Sequence, residues 1–234
     1  MKRYFIPLAL VLLLAGMVTP ASFMAQETKV RIDKSSLPLE ADNINGFIPQ
    51  GWKIEAQVSG DLNRDSLPDY ALKLIEDKPA ESGDTHNNRE RALLIVLRSK
   101  EGKLSLAAVA DKLLQCTTCG GAFYGFVDAE ANVSIEKGVL VVTQDHGSRN
   151  VTEYTYRFRY EPATKRFLFI GMDVVDRDRA TGDVVTTSAN YLTGIEITKR
   201  FGTGKSRTRT SRKAVSKEKR YLEQMDSEQL EGEQ

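Results

Sequence analysis

Residues 152–160 place Tyr154, Tyr156, Phe158 and Tyr160 on one side of a period-two alternation and Glu153, Thr155, Arg157 and Arg159 on the other. Successive side chains of a strand point to opposite faces, so this run specifies an extended segment with one dry face and one wet face. The same pattern occurs at 52–59, where Trp52, Ile54, Ala56 and Val58 alternate with Lys53, Glu55, Gln57 and Ser59, and it resumes at Tyr70, Leu72 and Leu74. Further strands are predicted at 92–97, 103–110, 132–136, 139–143, 167–175 and 184–188. Turn residues interrupt these runs every 8 to 12 residues or so, as at Glu161-Pro162-Ala163-Thr164 and near Gly182. The expected fold class is all-β, mainly an antiparallel meander, sandwich- or propeller-like, in a β-rich domain over 29–199.

The amino end reads as an export signal over 1–25: Lys2 and Arg3 precede an apolar run from Phe5 to Val18, and cleavage is expected after Ala21 or Ala25. An uncleaved anchor is the alternative, although the run is shorter than the roughly 20 residues that span a bilayer. The expected location is periplasmic, cell-surface or secreted. With 33 Lys and Arg against 32 Asp and Glu, the net charge of +1 gives no whole-chain attraction to nucleic acid, and no specific nucleic-acid binding is expected.

The charge is unevenly spread. The stretch from Lys199 to Arg220 is basic and 223–233 is purely acidic, so 200–234 is expected to be a disordered or weakly helical basic/acidic tail, with Leu222, Met225 and Leu230 near one face. Clustered Lys and Arg make the basic part a candidate contact for an anionic surface or an acidic partner.

Between the first two strands lies Asp61-Leu62-Asn63-Arg64-Asp65-Ser66-Leu67-Pro68-Asp69. Side-chain oxygens fall at its first, third, fifth and ninth positions (Asp61, Asn63, Asp65, Asp69), and the main-chain carbonyl of Leu67 falls at the seventh. Hard cations such as Ca2+ take oxygen ligands at this kind of spacing. Leu72 stands at position twelve, where an EF-hand places its bidentate Glu, so the loop is no EF-hand and water must complete the shell. The expected affinity is weak, about 0.1 to 1 mM.

Gly60-Asp61-Leu62-Asn63-Arg64-Asp65 with Asp69 resembles the calcium loop of FG-GAP and VCBS-type repeats, known from integrin-α-like propellers, over roughly 59–74 and in a single copy. The resemblance implies a loop bridging two strands, with Ca2+ held by Asp61, Asn63, Asp65, the Leu67 carbonyl and Asp69. Ser66 replaces the glycine usual at the sharp reversal, and a left-handed serine costs roughly 1 kcal/mol.

Cys116-Thr117-Thr118-Cys119 is the one cysteine pair. In an oxidising compartment it is a structural disulfide or a redox centre. Gly120 and Gly121 disfavour the helix start that redox chemistry of the thioredoxin kind needs, so the structural reading is preferred. Asp145-His146-Gly147-Ser148 juxtaposes acid, imidazole and hydroxyl, but adjacency in sequence is not triad geometry, and a turn is the simpler reading. No catalytic set is expected. The sequence therefore points to a non-enzymatic, exported binding or structural module with a Ca2+-binding hairpin, the alternative being a thiol-disulfide redox protein using Cys116 and Cys119.

Overall fold

A computed structural model describes residues 29–78, 87–124, 127–202 and 208–232. The signal assigned to 1–25 lies outside these residues. Two antiparallel sheets form the fold. The first has the order β1-β5-β4-β3-β2, from β1 (Glu40–Ala41), β2 (Trp52–Gly60), β3 (Asp69–Glu76), β4 (Arg91–Arg98) and β5 (Leu104–Ala110). The second runs β12-β11-β10-β9-β8-β7-β6, from β6 (Ala131–Glu136), β7 (Val139–Gly147), β8 (Asn150–Glu161), β9 (Arg166–Asp178), β10 (Val184–Asn190), β11 (Ile195–Phe201) and β12 (Arg209–Ala214). The fold is an all-β, sandwich-like meander, and every stretch that alternates in the sequence is a strand. Among the described residues no helix is long and apolar enough to cross a membrane.

The facing surfaces of the two sheets make the larger core. Leu93, Ile95 and Ala110 of the first sheet meet Leu140, Val142, Tyr156, Phe158 and Met172 of the second. Tyr154 joins the same core, and a register shift between Arg157 and Phe158 bends β8 where its aromatic face passes over the sheet. The first sheet is buried on its other face too. Ile32, Leu37 and Phe47, from the chain before β2, cover Leu72, Leu74, Leu94 and Val96. This double cover explains why β4 does not alternate: Ala92-Leu93-Leu94-Ile95-Val96 is apolar throughout because both its faces are dry. At the β6–β7 hairpin the two-residue link Lys137-Gly138 has φ values of 53° and 78°, the left-handed pair that matches the strand twist.

Part of the carboxyl end, expected from its composition to be disordered or weakly helical, is among the described residues. In the described part, 208–232, β12 pairs with β11, and Tyr221, Leu222, Met225 and Leu230 are buried. Leu222, Met225 and Leu230 sit in the inter-sheet core beside Leu113 and Leu114. The Phe169 N–H donates to the Arg220 carbonyl at 2.9 Å, and the Ser227 N–H to the Lys112 carbonyl at 3.0 Å. Average polarity hides these few apolar residues, which need only meet a core already built. Helix α1 (Ser227–Gly232) closes the described chain.

Candidate functional site

The Asp61–Asp69 loop spans the end of the β2–β3 hairpin, closed by the pair Gly60 and Asp69. Its alternate Asp and Asn residues fold it locally, because a short oxygen-bearing side chain reaches a backbone N–H two or more residues ahead. Asp61 Oδ1 accepts from the N–H of Arg64 at 2.6 Å and of Asp65 at 3.2 Å, and Asp61 Oδ2 from Ser66 at 2.9 Å. Asn63 Oδ1 accepts from the Asp65 N–H at 3.0 Å, and Asp65 Oδ1 from the Leu67 N–H at 2.8 Å. Arg64 and Ser66 both have φ of 68°, so Ser66 adopts the left-handed conformation that glycine takes without strain. Leu62 is fully buried in the inter-sheet core and anchors the loop there.

These bonds bring Asp61, Asn63 and Asp65 together around one turn, and the Asn63 amide donates to Asp65 Oδ2 at 3.0 Å. Asp69 is placed differently. Its carboxylate is 0% exposed, with Oδ2 accepting from the N–H groups of Leu62 at 2.9 Å and Asn63 at 3.4 Å, and Oδ1 accepting from the N–H of Arg98 at 3.0 Å. Burial raises its pKa despite the three N–H groups. The donors of the loop are hard oxygens, the chemistry Ca2+ selects, although among the described residues no group of three or more His, Cys, Asp or Glu is placed as a metal site.

A second concave region surrounds the cysteines. Cys116 and Cys119 form a disulfide, with Cys116 4% exposed and Cys119 open to solvent. The bond lines a cavity of about 260 Å³ with Glu90, Lys112, His146 and Glu231. Glu90 is 6% exposed and burial raises its pKa, opposed by the charges of Arg31 and Lys29. Burial also pushes Glu231 up to about 7 and pushes His146 down. His146 Nε2 approaches the Glu231 carboxyl at 3.8 Å. No helix begins at Cys116; a single 3-10 turn, Gly121–Phe123, follows the pair.

Asp145, His146 and Gly147 lie within β7, and Ser148 follows in the turn to β8. Asp145 accepts a short bond from the Tyr124 hydroxyl, and His146 stacks on Tyr154 with ring centroids 5.6 Å apart. Asp145 and His146 thus serve separate neighbours. Sequence reasoning missed the cavity at the disulfide because Glu90, His146 and Glu231 come from distant segments. The only local sign was Glu90 interrupting the approach to an apolar strand.

No protein-family model, curated protein or solved structure matches this chain.

Proposed function

We propose that the protein is an exported, non-enzymatic binding or structural module whose β2–β3 hairpin takes up Ca2+. The observation that carries this reading is the clustering of Asp61, Asn63 and Asp65 around one turn of a loop made of oxygen donors. Asp61, Asn63, Asp65 and the Leu67 carbonyl would hold the ion, with Asp69 completing the set or fastening the loop beneath it. The ion would neutralise crowded carboxylates on a loop that already carries a left-handed Ser66. In thermal melts, about ten times the dissociation constant of Ca2+ raises stability by about 1.4 kcal/mol, read as an upward Tm shift that chelator reverses. An unchanged Tm together with no binding heat at millimolar Ca2+ refutes the reading.

A second reading rests on the exposure of Cys119. An external dithiol would be oxidised to its disulfide while the Cys116–Cys119 bond is reduced to two thiols. Lys29 and Arg31 line the adjoining cavity and would favour the thiolate form. A reduction potential below about −300 mV, typical of structural disulfides, counts against exchange.

A further inference from the structure

We propose that the open edge of β12 is a docking strand for an acidic segment of a partner protein, which adds to the second sheet as a further antiparallel or parallel strand. Among the described residues β12 pairs only with β11, and all six of its residues are exposed. The Val215 N–H donates to the Gly194 carbonyl at 3.0 Å, next to the pair Ile195 and Ala214. Bonded pairs alternate along an antiparallel ladder, so Lys213, Ser211 and Arg209 exchange bonds with β11. Thr210, Arg212 and Ala214 therefore turn their N–H and C=O groups to the free side. Six residues make an edge about 20 Å long, enough for an added strand of ordinary length.

Charge selects the occupant. The two strands carry five cations, Lys199, Arg200, Arg209, Arg212 and Lys213, against the single carboxylate of Glu196. Glu196 is already taken by Lys213 at 3.0 Å. The neighbouring β10 has no charged residue to compensate the rest. Addition of β12 from a second copy would crowd the cations of both strands, which cross-strand pairing disfavours.

The cations also lie on both faces. Opposed residues of an antiparallel pair share a face, so Arg212 sits with Ile197 on one side, while Arg200 sits with Arg209 and Lys213 with Glu196 on the other. A flat anionic bilayer meets one face only. A strand laid along the edge sends alternate side chains to both, so its carboxylates reach Arg212 on one face and Arg209 on the other.

The probe is a fluorescein-labelled octapeptide of Thr, Val and four Glu, followed by fluorescence anisotropy with the full chain. The peptide is expected to bind, and Arg209→Glu with Arg212→Glu to weaken it at least tenfold. Thr210→Pro removes an outward N–H without touching the β11 ladder and is also expected to cost at least tenfold, while Thr210→Val binds as the wild type does. Far-ultraviolet circular dichroism verifies that each variant keeps its sheet. Wild-type affinity in Thr210→Pro overturns strand addition, as does absence of binding at millimolar peptide. Equal capture of the wild type and Thr210→Pro by phosphatidylglycerol vesicles, at lower concentration than the peptide needs, overturns it in favour of a charged membrane contact.

Discussion

Glu55 holds Arg91 by two bonds of 2.8 Å each, from Nε and from one terminal nitrogen of the guanidinium. The other terminal nitrogen donates to the carbonyls of Ala129 at 2.8 Å and Gln115 at 3.2 Å, so one side chain ties β2 and β4 to the segment leading into the second sheet. Arg91 is 2% exposed. Arg91→Met leaves Glu55 with Lys73 alone, at 3.5 Å, and two buried carbonyls without this donor, and is expected to cost about 3 kcal/mol, measured by urea denaturation. Arg91→Lys, which lacks the fork, recovers less than half of that.

This pair also sets an acid limit. Burial pushes the Glu55 carboxyl up, but the bonds and charge of Arg91, helped by Lys73, outweigh it and hold the pKa below the usual range. Its contribution is present above the unfolded-state pKa and is lost as pH falls through the folded one. The stability gap between the wild type and Arg91→Met is therefore expected to narrow below about pH 4, a trend that denaturation midpoints across pH will read.

Asp69 is a latch whose removal exposes the loop. Asp69→Ala strands the N–H groups of Leu62, Asn63 and Arg98 and is expected to cost about 3 kcal/mol. Amide exchange at Leu62 and Arg98 should accelerate far more than at core residues such as Leu94. Because burial raises the pKa of Asp69, its electrostatic contribution is full below the unfolded value and declines as pH rises through the folded one. Acid alone does not release this latch.

Glu231 gives the opposite trend from Glu55. With its pKa pushed up to about 7, it favours the folded state most below its unfolded value of 4.5, and that advantage is lost as pH rises to about 7. Glu231→Gln is expected to raise Tm relative to the wild type at pH 8 and to leave it unchanged at pH 4. Thermal melts at the two values provide the comparison.

The disulfide closes a short loop, so it restrains the unfolded chain only modestly. Replacing Cys116 and Cys119 together by Ser is expected to cost about 2 kcal/mol on loop-entropy grounds. A urea midpoint unchanged within error would show that the surrounding bonds, such as the Ala129 N–H to the Thr117 carbonyl at 2.7 Å, hold the segment without it.

The strands were legible in the sequence wherever one face is wet, as at Trp52 to Ser59 and Glu153 to Tyr160, because side-chain direction reports exposure. The turn at Asp61 to Leu67 was legible because its bonds are local. The lid of Ile32, Leu37 and Phe47 was not, since nothing in those residues shows which face they cover. Likewise Leu222, Met225 and Leu230 lie in a polar stretch, and only the core they enter explains their burial. The inward turn of Asp69 depends on the N–H of Arg98, 29 residues away, a partner that spacing within the loop does not reveal.

From β2 to β5 and again from β6 to β12, every strand pairs with the one that precedes it. Each new strand can therefore find its place within its own sheet by a short chain reversal, and besides the docking of one sheet on the other two large loop closures remain. One brings β1 to β5; the other returns Tyr221 to Leu230 to the core. A ribosome releasing this chain would deliver hairpins in the order in which they assemble, leaving the carboxyl-terminal segment to seal the fold last.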